Sequence, residues 1–151
     1  MFRRIVLLLM LGLPTRSAFA LYDATPDADL STMQGEWRGE LSYLDYSGSG
    51  KRVTLPTKVF VALAAPSRLV LHYVFDDGPG KTVYSYEQMS FDLARGSLQW
   101  KTGDSEKSLE RFRILSSVHE AGRWKVVFVN DSKKEPHRYT LEVGSEDFSF
   151  Q

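Results

Sequence analysis

Runs of β-forming residues alternate with short turn signals along most of the chain, and this pattern constrains the fold more than any other feature. In the clearest run, 35–45, Trp37 and Leu41 share one face while Arg38 and Glu40 share the other. A period of two is typical of a strand that is buried on one side. The predicted strands are 35–45, 51–63, 68–76, 81–92, 98–100, 109–118, 123–129, 137–143 and 147–150.

Each run is joined to the next by a short stretch of turn residues, of which 77–80 (Asp-Gly-Pro-Gly) is the strongest example. Short connections make neighbouring strands antiparallel, because a parallel crossover needs a dozen or more residues. Closing such a meander into a ring removes its two exposed edges. The sequence therefore predicts an all-β fold, a single antiparallel up-and-down β-barrel of about eight or nine strands. A β-sandwich is the alternative.

Pro56 lacks an N–H donor and indicates an edge position or a bulge in its strand.

The N-terminus has the three parts of a secretory signal in the usual order. Arg3 and Arg4 precede the apolar run 5–13, and Ala18 and Ala20 form a small-x-small cleavage site. This pattern predicts a cleavable signal peptide over residues 1–20. The apolar run is shorter than the roughly 20 residues that cross a bilayer, so an uncleaved membrane anchor is the less favoured alternative. We therefore expect an exported protein of a bacterial periplasm or one that is secreted.

The expected mature chain divides into an N-terminal segment, 21–34, and a β-barrel domain, 35–151. A short helical turn is predicted near Pro26, because proline suits the first turn of a helix. The chain contains no cysteine, so no disulfide supports the domain. About 130 residues are enough to bury a core without one, and export without cysteine favours a bacterial periplasm.

The charge balance excludes some partners. The chain has 19 basic and 19 acidic residues, and loss of three arginines with the signal peptide leaves a net charge of −3. This argues against a nucleic-acid binder, which carries a basic stripe. It also argues against attachment to anionic membranes, and no stable membrane insertion is expected after cleavage.

Gly35-Glu36-Trp37 on the first predicted strand, with a short helical turn before it, resembles the opening of lipocalins and related calycin barrels. The longer pattern through 76–81 is similar to uncharacterised exported bacterial proteins. The resemblance implies a barrel in which Trp37 closes one end and an arginine from a late strand packs across its ring. Arg138 is the candidate, and stacking of a guanidinium group on an indole contributes roughly 0.5–2 kcal/mol. Unlike true lipocalins, the chain has no disulfide and no helix after its last strands.

Catalytic, metal and cofactor motifs are not recognisable. Gly80-Lys81-Thr82 resembles the end of a phosphate-binding loop, but Phe75 stands where that loop needs glycine and a strand follows instead of a helix. Asp76 and Asp77 supply too few oxygens for calcium. The three histidines lack the spacing of a zinc site. The sequence therefore predicts no catalytic residue, no metal and no cofactor.

The leading functional hypothesis is a barrel that binds a small amphipathic or apolar molecule. Tyrosines such as Tyr43 and Tyr73 would give the wall an apolar surface with polar tips. If Glu87 faces inward, its charge is costly to bury, so it would need Arg111, Arg113 or a ligand as its partner. The predicted ligand-binding residues are Trp37, Tyr43, Tyr73, Glu87 and Arg138.

Two other classes of function stay open. The first is a protein-interaction or scaffold module with a filled core, which acts through its surface or through the edge strand that contains Pro56. The second is a hydrolase that uses inward carboxylates, for which Glu87 and Glu110 are candidates because they lie within strands.

The signal peptide makes a testable prediction about the mature N-terminus. The intact mass of the exported protein is expected to correspond to a chain that begins at Leu21. Ala20→Arg should block cleavage, because the site needs small residues, whereas Phe19→Leu should be processed normally. A wild-type chain that retains residues 1–20 after export would contradict the prediction.

Overall fold

The computed structural model describes residues 3–8, 30–45, 50–130 and 136–151. Ten strands and two 3₁₀ turns lie within these ranges. The strands are β1 Arg3–Leu8, β2 Gly35–Leu44, β3 Arg52–Ala65, β4 Arg68–Asp76, β5 Thr82–Asp92, β6 Ser97–Thr102, β7 Leu109–Glu120, β8 Arg123–Asn130, β9 His137–Val143 and β10 Asp147–Phe150. The 3₁₀ turns are Leu30–Met33 and Glu106–Ser108.

Strands β2 to β10 form one antiparallel meander in which each strand pairs with the next. They correspond to the nine predicted strands, with ends that differ by no more than two residues. The prediction of an all-β, up-and-down barrel is therefore confirmed. The β-sandwich alternative is wrong, because these strands form a single sheet that curls into a nearly closed barrel.

The ring is completed by β1, which lies between the first and last strands of the meander. In an up-and-down series of nine strands, the first and the ninth run in the same direction. Strand β1 pairs in parallel with both, so that Val6 lies beside Glu40 of β2 and Ser149 of β10. The sequence reasoning placed this segment in the signal peptide and did not predict it as a strand. Cleavage after Ala20 stays a prediction, because the pairing shows only what the segment does while it is present.

The helical turn before β2 is a 3₁₀ turn at Leu30–Met33, and the predicted start near Pro26 lies outside the described residues. This turn places Leu30 and Met33 over one end of the barrel, where both are buried. The Nε1–H group of Trp37 donates a 2.7 Å hydrogen bond to the carbonyl of Met33. The Trp37 ring meets Phe148 edge-on, with centroids 4.9 Å apart. We call this plugged end, which holds Leu30, Met33, Trp37 and Phe148, the closed end.

Five large aromatic side chains fill the middle of the barrel. They come from five different strands, yet their ring centroids lie only 4.9–6.4 Å apart where they meet. Tilted and edge-to-face contacts of this kind add to the stabilisation from burial. This aromatic cluster consists of Trp100, Phe112, Phe128, Tyr139 and Phe150.

The last strand is tied to the barrel by an ion pair. Arg123 at the start of β8 donates two hydrogen bonds to Asp147 at the start of β10, at 2.9 and 3.0 Å. These bonds lower the pKa of Asp147 below its usual value. The pair packs over Gly144, where an added Cβ would lie 2.6 Å from Oδ1 of Asp147. Because the side chains are 43% and 50% exposed, the pair contributes at most about 1 kcal/mol.

Pro56 does not mark an edge strand, because β3 lies between β2 and β4. The register shift in β3 lies farther along, between Leu63 and Ala65. Pro56 is opposite Glu40 of β2, whereas the pairing of β3 with β4 begins only at Thr57. The missing N–H donor of Pro56 is therefore tolerated, because at this position β3 pairs with β2 and not with β4.

Replacement of Trp37 by alanine is expected to lower the free energy of unfolding by about 3–5 kcal/mol, the usual cost of emptying a core aromatic site. Urea denaturation measures this loss. Trp37→Phe keeps a ring but leaves the Met33 carbonyl without its donor, so a smaller loss of about 1–3 kcal/mol is expected. An alanine variant within about 1 kcal/mol of wild type would contradict the role of Trp37 as a core residue.

Candidate functional site

The two ends of the barrel differ in how well their inward residues are buried. At the closed end Trp37, Leu69 and Leu98 have no exposed surface. At the opposite end, where the β4–β5 and β6–β7 turns lie, several inward residues retain partial exposure. We call this end the mouth; its partly exposed inward residues include Tyr43, Leu55, Phe75, Trp100 and Tyr139.

Glu87 lies on the inward face of β5, next to the mouth. Its strand neighbours in phase, Met89 and Phe91, are 2% and 5% exposed, so the alternation of the strand turns Glu87 inward as well. Its Oε2 atom accepts a 3.0 Å hydrogen bond from Nε1–H of Trp100. Its Oε1 atom accepts a 3.3 Å hydrogen bond from the hydroxyl of Ser85. The barrel therefore carries an inward carboxylate held by two uncharged donors.

Burial changes the protonation of this group and of its neighbour. Burial raises the pKa of Glu87, while the hydrogen bonds from Trp100 and Ser85 act in the opposite direction. Burial also raises the pKa of Tyr73 well above its usual value, and the charge of Glu87 adds to this effect. The Tyr73 hydroxyl thus stays protonated at neutral pH, and the carboxyl group of Glu87 takes up a proton more readily than an exposed one.

Neither arginine that was considered as a partner for Glu87 reaches it. Arg111 and Arg113 are exposed, whereas Phe112 between them is 5% exposed and points into the core. Both arginines therefore lie on the outer face of β7. Among the described residues, no lysine or arginine forms an ion pair with Glu87.

Three of the predicted ligand-binding residues belong to the same half of the barrel. Tyr73 and Glu87 lie on the inward faces of adjacent strands, and Tyr73 is directly opposite Ser85 in the register. Tyr43 is partly exposed at the mouth. Trp37, by contrast, is fully buried at the closed end. That these residues bind a ligand stays a prediction.

Arg138 does not meet Trp37. Its neighbours on β9, Tyr139 and Leu141, face the core, so Arg138 points outward and is exposed. The expected stacking of Arg138 on the indole is therefore not formed, because the alternation of β9 directs its guanidinium group away from the barrel interior. Among the described residues, Phe148 meets the ring of Trp37 edge-on.

Trp100 and Ser85 are functional candidates that the sequence reasoning missed. Ser85 is two residues from Glu87 on the same strand. The period of two could therefore have indicated that both side chains lie on the same face. Trp100 is different, because its contact depends on the register that pairs Glu87 with Thr102 and Met89 with Trp100. No local pattern in the sequence specifies that register.

A second carboxylate also lies on an inward face. Glu110 of β7 is opposite Trp100 in the register, and it accepts a 2.8 Å hydrogen bond from Nδ2 of Asn130. Glu87 and Glu110 therefore flank strand β6 from its two sides. Both residues were candidates for hydrolase chemistry in the sequence, and the structure turns both inward.

A groove of about 760 Å³ lies elsewhere, beside the β4–β5 turn, and its walls include Arg38, Lys58 and Lys81. None of the predicted ligand-binding residues lines it. Two of its cations are already paired, Arg38 with Glu36 and Lys81 with Asp77. The mouth is the better candidate, because it combines a largely buried carboxylate with partly exposed aromatic side chains.

Two further features were searched for within the described ranges. No group of three or more histidine, aspartate or glutamate side chains is arranged to hold a metal ion there. No helix in that part of the chain is long and apolar enough to cross a membrane.

Comparison with known proteins finds no matching family model, no similar curated protein and no similar solved structure. The class of protein is therefore defined by the fold alone. It is an all-β, up-and-down barrel, compatible with a lipocalin-like fold.

The raised pKa of Glu87 predicts a pH-dependent difference in stability. Because burial disfavours the charged form, the folded state loses stability as pH rises above about 4.3, the usual glutamate value, through the raised pKa. Glu87→Gln keeps the shape and the acceptor for Trp100 but cannot ionise. Its free energy of unfolding, measured in urea from pH 4 to 8, should therefore increase relative to wild type as pH rises.

Glu142→Gln is the matched control, since Glu142 pairs with Lys125 on the outside of the barrel. It reports the effect of losing one negative charge from the surface. A Glu87→Gln difference that is flat with pH, or that falls as pH rises, would contradict the burial of an ionisable carboxylate.

Proposed function

We propose that this protein is an exported, lipocalin-like barrel that binds a small, partly apolar molecule at its mouth. The observation that carries the proposal is the inward carboxylate of Glu87, held by Trp100 and Ser85 beside partly exposed aromatic side chains. An inward acid in such a place is expensive to maintain. A role in ligand binding explains why the barrel keeps an inward carboxylate, whereas a filled core does not need one.

The chemistry of Glu87 limits what the ligand can be. A carboxylate offers about four acceptor positions, and the two hydrogen bonds to Glu87 leave others open. The preferred ligand therefore carries a hydrogen-bond donor such as an amine or a hydroxyl group. The partly exposed rings of Phe75, Trp100 and Tyr139 would pack against an apolar body. An anionic ligand is disfavoured, since it would approach a like charge.

The aromatic cluster sets the depth of the proposed site. Its rings pack against one another across the middle of the barrel, so the ligand would rest on the cluster instead of passing through to the closed end. Trp37 then supports the fold without touching the ligand. The proposed contacts are Tyr43, Tyr73, Phe75, Glu87, Trp100 and Tyr139.

Direct binding of a probe tests this proposal. 1-Aminoanthracene is apolar, carries one amine and becomes fluorescent in apolar sites, so titration should give a saturable signal with one site per chain. Glu87→Gln should weaken its binding about tenfold, which corresponds to about 1.4 kcal/mol and is near the lower limit for a hydrogen bond to a charged group. Glu142→Gln, on the outer face, should bind like wild type.

Native mass spectrometry of the protein purified gently from its own host complements the probe. An extra mass that disappears on denaturation would begin to identify the natural ligand. Absence of both that mass and a saturable aminoanthracene signal would contradict the proposal, and it would favour an interaction module with a filled core.

A hydrolase is the second candidate, because Glu87 and Glu110 both face inward on either side of β6. Two carboxylates across a cleft suit glycoside hydrolysis. Turnover of a glycoside that is lost in both Glu87→Gln and Glu110→Gln would favour catalysis, whereas tight binding without turnover would favour the binding barrel.

A further inference from the structure

The position of β1 in the ring defines a second site that is separate from the mouth. We call it the seam, meaning the strand-wide space between β2 and β10 that β1 occupies. Along the seam, Arg3–Leu8 pairs with residues 37–42 of β2, and residues 4–7 pair with residues 147–150 of β10. All of these pairings are parallel.

The topology makes the seam a place where two strands run in parallel. In a meander of nine strands the two ends run in the same direction, so β2 and β10 cannot meet as an antiparallel pair. Each presents backbone N–H and C=O groups towards the seam, and these groups need partners. Without β1, the facing edges of β2 and β10 would run in the same direction, and each would lose its partner strand.

The residues that flank the seam specify what fits it. On the inward side, Gly39 and Leu41 of β2 lie across from Phe148 and Phe150 of β10, which are 2% and 6% exposed. Register positions 5 and 7 fall between these two pairs. An occupant therefore needs apolar residues at alternate positions, and the chain itself has isoleucine at 5 and leucine at 7.

The outer side of the seam is polar. Glu40 is exposed and Ser149 is partly exposed, and they lie on either side of position 6. The outward positions of an occupant therefore tolerate a range of residues. The pattern is that of strand addition, in which backbone hydrogen bonds provide affinity and alternate side chains provide selection.

We propose that the seam is a binding site for an extended segment of another polypeptide, which adds in parallel to β2 and β10 when residues 3–8 are missing. The segment is about six residues long and apolar at alternate positions. Predicted cleavage after Ala20 generates the form of the chain with an open seam. The site is independent of the proposed ligand at the mouth.

Peptide exchange tests the seam on a chain that folds with all of its residues. A protease site inserted between Ala20 and Leu21 allows the folded full-length chain to be cut. A fluorescent peptide with the sequence of residues 1–10 is then added, and its polarisation is followed. Saturable binding with one site per chain is expected, and unlabelled peptide should compete for it. The same peptide with Val6→Pro should bind at least tenfold more weakly, because proline lacks a donor and disrupts a ladder.

Cysteine cross-linking tests the orientation, because the chain has no cysteine of its own. In the full-length chain, Val6→Cys with Ser149→Cys and Val6→Cys with Glu40→Cys join register neighbours. Both pairs should form disulfides on mild oxidation. Leu7→Cys with Ser149→Cys should not, since adjacent residues of a strand point to opposite faces.

Three outcomes would overturn the proposal. In the first, the cut domain has released residues 1–20, as its intact mass shows, and stays folded by circular dichroism but takes up no peptide, which would show that β2 and β10 close on each other. In the second, the cut domain unfolds, which would make β1 an obligatory structural strand. In the third, the uncut chain forms a dimer cross-linked through position 6, which would assign the seam to a second copy of this chain.

Discussion

The continuous antiparallel register from β2 to β10 determines where every side chain of the barrel points. Because successive residues of a strand face opposite sides, a slip of one residue in any pairing would move core residues to the surface. The register is maintained by large side chains that interlock across the interior. Trp37 against Phe148 anchors the closed end, and the aromatic cluster joins five strands in the middle. The inward position of Glu87 and the outward position of Arg138 both follow from this register.

The barrel is asymmetric along its axis, and its candidate function depends on that asymmetry. One end is plugged by the 3₁₀ turn Leu30–Met33, whose Met33 carbonyl is bonded to Trp37. The other end keeps aromatic side chains partly exposed around a carboxylate that burial has made less acidic. A plugged end supports the fold, while an end with partly exposed aromatic side chains and an unusual acid suits recognition of a small molecule.

The number of strands has a consequence that is separate from the mouth. An even number of up-and-down strands brings antiparallel ends together, whereas nine strands bring parallel ends together. The structure accommodates this by placing β1 between them. The same six residues belong to the predicted signal peptide, and residues 5–8 begin its apolar run, so the segment that closes the barrel is also the one expected to be removed. This overlap is the reason for treating the seam as a place where another strand can enter.

The sequence by itself determined the number, order and approximate ends of strands β2 to β10. Those properties depend on local alternation and on short turns, and both can be read from neighbouring residues. It also indicated that Trp37 is a core residue and that Glu87 lies in phase with Met89 and Phe91. Only the tertiary structure decided which face of each strand is inward, that Trp100 bonds Glu87, and that Arg138 lies outside. It alone placed β1 in the seam. These features depend on pairings between distant residues, and packing of the whole barrel selects one register where the local sequence allows several.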